Sequence, residues 1–326
     1  MRIVVAGAGL FGREHLRALA GIDGVALAGV ADLDESAARA AAERYGAPAW
    51  STDAAALIDR LLPDGVIVAT ASPSHVALAT RALAAGASVL VEKPVAMTAA
   101  DAVRLLAAEA ASPGFVLPGH VLRFSAPHRT LVEIVRSGAI GDILAVVSRR
   151  HRDDSHAVRY TDVDPVLMTM IHDIDLAIWI TGAAAAGVYA VRRPAGEQRS
   201  DTMMMASDTR GASWHLSTSW TYPAPDVPPD RLEVVGTRGG VELEVGSHLR
   251  QYGAISRTID LRSAPDDMLP AELAYFVGCI RDGGRPEAVT LGDAWRGLAA
   301  AEAVMASLRS GEVVRPPTDP LDVAGA

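Results

Sequence analysis

Cysteine is almost missing from this chain: Cys279 stands alone among 326 residues. No internal disulfide can form, which fits a reducing compartment such as the cytoplasm. Phenylalanine is scarce, with four residues, whereas alanine is abundant, a composition that favours helices packed closely on strands. Positive charge is in deficit, the formal net charge being −9. A nucleic-acid binder normally carries a basic face, and anionic membranes attract one too, so neither partner is expected. No apolar run reaches the ~20 residues needed to cross a bilayer. The longest, Leu176 to Val191, is interrupted by Thr181, Gly182 and Gly187 and reads as a buried helix followed by a strand. No charged-then-apolar leader precedes the first strand. There is no fixed-period repeat and no low-complexity linker. What remains is a chain that is 50% hydrophobic, long enough for one large or two ordinary domains.

Arg2 to Ala6 is apolar and β-branched, and reads as a buried strand. The turn Gly7-Ala8-Gly9-Leu10-Phe11-Gly12 follows and opens a helix to about Ala20. With a strand before it and a helix after it, this G-x-G-x-x-G spacing points to a dinucleotide site. Gly7 permits the tight turn, Gly9 lets the backbone approach a pyrophosphate, and Gly12 lets helix and strand pack closely. The helix start at Leu10 and Phe11 offers N–H groups to the phosphates. The next strand, Ala26 to Ala31, ends in Asp32, 20 residues beyond Gly12. A carboxylate there accepts from both hydroxyls of an adenine ribose and repels a 2′-phosphate. No Arg or Lys follows until Arg39, so NAD is favoured over NADP. The alternative is a glycine turn with a capping Asp.

The alternation of strand and helix continues. Gly65 to Thr70 has no polar residue before Thr70, as expected of a strand buried on both faces. Ala71-Ser72-Pro73-Ser74-His75 then turns into a helix. Thr70, Ser72 and Pro73 fall at the carboxyl end of a strand, where ligands of doubly wound sheets bind. His75 either joins them or is only a first-turn residue. Ser88 to Glu92 is the next strand, and Lys93 emerges from its end before Pro94, which restricts the lysine backbone to extended conformations. Alone, Lys93 would read as a surface lysine; beside a nucleotide site it is a candidate catalytic group. Thr98-Ala99-Ala100-Asp101 has the pattern of a capping box, and Phe115 to Pro118 is read as the last strand of a domain spanning 1–120.

Residues 121–326 change character. Ser125 starts a helix that Gly138 stops, and Ile143 to Arg149 is a strand. The run Arg149-Arg150-His151-Arg152-Asp153-Asp154-Ser155-His156, reaching Tyr160, reads as a solvated loop or as one that meets a polyhydroxylated or anionic substrate. A helix is expected over Val166–Ile180, with Leu167, Ile171, Ile174 and Ile178 at helical spacing. His172 and Asp175 lie one turn apart on it, unusually polar for an apolar helix. From Tyr189 the period is two, Trp214, Leu216, Thr218 and Trp220 sharing one face, which predicts an open antiparallel sheet whose other face meets water or a second subunit. Leu269 to Asp282 and Leu291 to Arg309 are closing helices.

These residues resemble the glucose–fructose oxidoreductase, inositol dehydrogenase and MocA family over nearly the full length. The resemblance is carried by the glycine turn, Asp32, Glu92-Lys93-Pro94, His172-Asp173-Ile174-Asp175, the stretch Arg231 to Gly239, and Glu272 with Phe276. It implies an α/β chain: a Rossmann domain with a doubly wound parallel sheet, then an α/β domain with an open, mostly antiparallel sheet that mediates dimers or tetramers. It implies hydride transfer between NAD and a hydroxyl-bearing carbon of a sugar, cyclitol or sugar derivative, without a metal. Lys93 would bind the reacting hydroxyl and His172 would be the general base, with Glu92 at the cofactor. Arg123, His156, Tyr160 and Asp175 are candidate substrate contacts. Some similarity to members acting on nucleotide sugars would let Arg149, Arg150 and Arg152 meet a diphosphate. The chain departs from the family at Met168, where the resemblance places an Asp four residues before the histidine. That departure leaves open a regulatory protein that binds NAD or a sugar on the same fold. No segment resembles an arm wrapping the nucleotide, which speaks against a cofactor that never leaves.

Overall fold

The computed structural model describes residues 1–161, 163–196, 199–263 and 267–322. The first part alternates strand and helix: β1 (Arg2–Ala6), α1 (Leu10–Leu19), β2 (Ala26–Ala31), α2 (Glu35–Tyr45), β3 (Trp50–Ser51), α3 (Ala54–Leu61), β4 (Gly65–Val68), α4 (His75–Ala84), β5 (Ser88–Glu92), α5 (Ala99–Ala110) and β6 (Val116–Gly119). All six strands are parallel, in the order β3-β2-β1-β4-β5-β6. The order reverses between β1 and β4, which creates a crevice at the carboxyl ends of the strands. Val4, Val5, Val66, Ile67, Val89 and Leu90 are fully buried, as strands covered on both faces must be. Asp34, Asp53 and Thr98 cap α2, α3 and α5 by accepting backbone N–H bonds, each worth about 1 kcal/mol.

The second part runs α6 (Ala126–Arg136), β7 (Ile143–Asp153), α7 (Ser155–Arg159), a π-helical turn (Val166–Met170), α8 (Ile171–Thr181), β8 (Ala185–Pro194), β9 (Ser200–Asp208), β10 (Ser213–Tyr222), β11 (Arg231–Gly236), β12 (Gly239–Glu244), β13 (His248–Gly253) and β14 (Arg257–Asp260). The eight strands order as β14-β13-β12-β11-β7-β10-β9-β8, antiparallel except for the parallel pair β7 and β10. Trp214, Leu216, Thr218 and Trp220 are buried on one face, as their spacing predicts. Tyr189, Val191, Met203 and Met205 are exposed, about half uncovered, on the two outermost strands at the β8 end.

Two local expectations are corrected. The polar run Arg149 to His156 is not a solvated loop: β7 continues from Ile143 to Asp153 because Ser148 and Arg150 point inward onto buried acid, and α7 follows at once. The helix expected over Val166–Ile180 opens with a π turn and becomes α-helical only at Ile171.

The chain forms two compact units. One holds Met1–Phe124 together with Asp267–Trp295, and the other holds the remaining described residues. Helix α9 (Met268–Asp282) thus packs in the first unit, and α10 (Leu291–Ser310) begins there. The α9 stripe Leu273, Phe276 and Val277 is buried, with Phe276 edge-on to Phe115 at 5.8 Å between ring centroids. Among the described residues no helix is long and apolar enough to cross a membrane.

Candidate active site

In the first unit the residues expected at the cofactor converge on the carboxyl edge of the parallel sheet. Gly7 turns the chain at φ +104°, and a Cβ there would lie 2.3 Å from the Ala69 carbonyl oxygen. A Cβ on Gly12 would lie 1.9 Å from the Gly7 carbonyl oxygen, whereas one on Gly9 would meet nothing within 4 Å. The turn is therefore closed on the sheet side and open at Gly9. Helix α1 starts there with no side-chain cap and no acidic residue in its first turn, so its leading N–H groups remain available to an anion. Leu10 and Phe11 are about half exposed beside them. Asp32 leaves the end of β2 with Oδ2 accepting from the Ala8 amide (2.6 Å) and Oδ1 from the Asp34 amide (2.9 Å). These bonds orient the carboxylate and leave lone pairs for ribose hydroxyls. The arrangement fits a dinucleotide: a cradle where side chains cannot stand, uncapped amides, then a fixed carboxylate.

Thr70 follows β4 and its hydroxyl pairs with that of Ser74 at 2.7 Å; Ser72 and Pro73 form the 3₁₀ turn between them. His75 is buried beneath, with Nδ1 2.8 Å from the Pro94 carbonyl oxygen and Nε2 3.0 Å from that of Thr70. It ties the end of β4 to the segment after Lys93. The Lys93–Pro94 bond is cis. Glu92 accepts from the Lys93 amide through Oε2 (3.3 Å) and pairs through Oε1 with Nε2 of His15 (2.7 Å), a fully buried residue of α1. Burial works to raise the Glu92 carboxyl, but the His15 hydrogen bond and the field of His15, Lys93 and His75 outweigh it and hold the group below the usual range. Arg123 lies in the same unit, buried, donating to Ala288 O (3.0 Å) and Asp293 (3.1 Å).

In the second unit His172 opens α8, directly after the π turn, and is partly exposed. The next residue, Asp173, is buried and accepts from Ser148 Oγ (2.6 Å) and, at both oxygens, from Arg150 (2.9 Å each). Arg150 also donates to Asp230 (2.8 Å). Burial opposes the Arg150 charge, but Asp173 and Asp230 more than compensate and hold it above its ordinary range. This lock joins α8 to the sheet. It uses Arg150 internally, and Arg152 pairs with Asp230 as well, so neither is free for a diphosphate. His156 and Tyr160 come together with Trp220, at ring-centroid distances of 5.6 to 6.4 Å. Trp220 Nε1 donates to Thr169 Oγ1 in the π turn at 2.9 Å, which links that aromatic group to the start of the His172 helix. Burial, aided by Arg152, lowers the His156 pKa despite Asp153. Asp175 is buried one turn beyond His172. Among the described residues no group of His, Cys, Asp and Glu could hold a metal.

Residues 1–120 match the family model described as oxidoreductase family, NAD-binding Rossmann fold, and residues 128–242 match its C-terminal domain. The chain belongs to the GFO/IDH/MocA family. It is an NAD-binding oxidoreductase of that family. It is 32% identical over 340 residues to inositol 2-dehydrogenase 2 of Saccharopolyspora erythraea, covering 99% of this chain and 96% of that one. It is 28% identical to inositol 2-dehydrogenase of Burkholderia cenocepacia, over 95% and 94% of the two chains. Among solved structures, the scyllo-inositol dehydrogenase of Lactobacillus casei with NAD(H) and scyllo-inositol superposes with a TM-score of 0.85, at 20% identity over 97% and 98% of the chains.

Sequence reasoning missed His15, the bond from Trp220 to Thr169 and the Arg150–Asp173 lock, none of which has a spacing signature. It also missed a signal in plain view. Of the 30 basic residues, 29 are arginine, and Lys93 is the only lysine. A chain that meets every other need for a cation with arginine carries one lysine, at the carboxyl end of a buried strand. A compact ammonium and a planar guanidinium are not interchangeable.

Proposed function

We propose that this oxidoreductase interconverts a secondary hydroxyl and a ketone on a cyclitol or sugar, with an inositol as the first substrate to test. The observation that carries the reading is Lys93, seated on a Glu92 carboxylate that His15 fixes from below. The similarity to proteins named inositol 2-dehydrogenases supports the substrate class. NAD would be held by Gly7, Gly9, Leu10, Phe11, Gly12, Asp32, Thr70, Ser72, Pro73 and Glu92, with His75 bracing that rim; when bound it supplies a hydride acceptor. Lys93 binds the reacting hydroxyl oxygen and stabilises its developing negative charge. His172 takes the hydroxyl proton on a ring nitrogen, a task suited to a group that ordinarily titrates near neutrality. His156, Tyr160 and Asp175 contribute to the polyol site, while Arg123 supports the first unit through Asp293. Residues 1–120 serve the cofactor, with Asp267–Trp295 packed in the same unit although the sequence assigns them to 121–326, and the remainder of 121–326 serves the substrate and subunit association.

The exposed apolar residues Tyr189, Val191, Met203 and Met205 on one end of the second sheet support assembly as a homodimer or homotetramer. A cytoplasmic location suits the single cysteine. The test is a panel of inositols and sugars with NAD, read at 340 nm. Lys93→Met should abolish turnover, a loss on the order of 10²-fold or more, while the NADH dissociation constant changes by less than about threefold. Full turnover in Lys93→Met removes the lysine from the reaction, and no turnover of any polyol by the unmodified protein refutes the substrate class.

A further inference from the structure

His75 is buried at the start of α4, and both of its ring nitrogens face main-chain carbonyl oxygens: Nδ1 that of Pro94 at 2.8 Å, and Nε2 that of Thr70 at 3.0 Å. A carbonyl oxygen can only accept. A neutral imidazole has one N–H and one lone pair, so it can serve one of these oxygens and must set its lone pair against the other. That second contact is repulsive, and it leaves a buried ring nitrogen with no bond made, at a cost of about 1–3 kcal/mol. With a proton on each nitrogen, both contacts become charge-assisted hydrogen bonds.

A buried imidazolium needs a negative charge close by. Glu92, at the end of β5, provides it. Burial opposes ionisation of this carboxyl, but the His15 hydrogen bond and the field of His15, Lys93 and His75 hold it below its usual range. Glu272, on α9, adds no second charge, because burial and the neighbouring Glu92 keep its carboxyl well above the ordinary range. Elsewhere around α4, Asp59 of α3 pairs with Arg81, Asp101 of α5 pairs with Arg104, and Glu109 of α5 accepts from the Val116 amide at 2.8 Å. Arg60 of α3 is exposed, and β4 has no ionisable residue.

We propose that His75 is a buried imidazolium and a positioning residue for Lys93: donating from both ring nitrogens, it clasps Thr70, on the rim expected to meet the cofactor, to Pro94 beside the lysine. One side chain then sets the spacing between the end of β4 and the backbone from which Lys93 projects. The kinetic part of the test rests on the catalytic reading of Lys93; the spectroscopic part does not. The protein is labelled with ¹⁵N in its nine histidines and observed at pH 7.5, above the roughly 6.5 at which a histidine ordinarily titrates. His75 is assigned through its contacts with Thr70 and Pro94. Both of its ring nitrogens should carry protons; a pattern with one bare nitrogen overturns the proposal.

Because Lys93 is the sole lysine, protein labelled with ¹³C at lysine Cε shows one side-chain resonance. His75→Leu removes both donors. His75→Gln, whose single amide group can serve only one of the two carbonyls, stands in should the leucine variant not fold. Either variant should displace the Lys93 resonance, and an undisplaced one overturns the positioning role. With a turned-over polyol, kcat should fall roughly tenfold or more, the loss of one hydrogen bond to a charged group. An unchanged kcat beside a displaced resonance removes Lys93 from the reaction and leaves the clasp standing. If no polyol is turned over, the functional reading fails, while the histidine and lysine resonances still decide the role of His75.

Discussion

Replacing His128 by Asn should flatten the acid limb of the second unit's stability. His128 sits on α6, buried, with Nδ1 2.8 Å from Ser125 Oγ. Burial, reinforced by Arg150 and only partly offset by Asp230, lowers its pKa to about 3. In the unfolded chain a histidine titrates near 6.5. The folded value is the lower one, so the unfolded chain binds more protons between the two, and stability drains away as pH falls through that window. At pH 5 the gap from the unfolded value is about 1.5 units, or about 2 kcal/mol at 1.36 kcal/mol per unit. Asn keeps a polar atom near the Nδ1 position and cannot take a proton. Any packing cost it brings is the same at every pH, so the slope is the diagnostic. In urea unfolding, the stability gap between the two proteins should shrink by about 2 kcal/mol from pH 7.5 to pH 5. Asp230, held below its usual range by Arg150 and Arg152 against the opposing pull of burial, loses its contribution in both proteins and at lower pH. Parallel curves for the two proteins would refute the argument.

Three further outcomes follow from the same geometry. Asp32→Ala should narrow the preference for NAD over NADP roughly tenfold or more, the scale of one hydrogen bond to a charged group; equal use of both by the unmodified protein would remove the premise. Gly12→Ala would ordinarily steady a helix by up to about 1 kcal/mol, but here the added carbon falls 1.9 Å from the Gly7 carbonyl oxygen, so NADH binding should be lost and the melting temperature should fall. His172→Asn should reduce kcat by about 10²-fold, the low end for a general base, and should regain activity as pH is raised and hydroxide replaces the imidazole. A pH-independent loss would deny it that role.

Much of this was legible because backbone geometry dictates residue type. Only glycine can stand at Gly7 and Gly12, where added carbons would meet carbonyl oxygens. Asp32 and Lys93 were found because parallel strands end at one edge, so position in the chain implies position at the crevice. The β10 stripe of Trp214, Leu216, Thr218 and Trp220 was read from its period alone. What escaped depends on long-range pairing. Arg150 looked like one charge in a solvated run, and only the seating of Asp173 and Asp230 opposite it makes a strand of that run. His75 was ambiguous because its two carbonyl partners come from different segments. Glu272 was noticed as a family match, but its burial needs α9 to return to the first unit.

The two proposed catalytic groups leave different elements, and the surroundings of each bear on how this chain would handle the proton. Met168 stands where the family resemblance places an acid, and the carboxylate adjacent to His172 in sequence, Asp173, has both oxygens committed to Arg150 and Ser148. The bond from Trp220 to Thr169 ties the π turn that leads into the His172 helix to the sheet, and such turns are often found at functional sites. A tryptophan N–H can set the course of the backbone but cannot stabilise an imidazolium. Lys93, by contrast, stands on Glu92, with His15 below it and His75 securing Pro94. Buried charge is thus gathered around the backbone that carries Lys93, the group proposed to stabilise the alkoxide. On the proposed mechanism the alkoxide depends on the Lys93 ammonium, whereas hydroxide can replace a missing base at high pH, so substitution of the lysine should be the more damaging of the two.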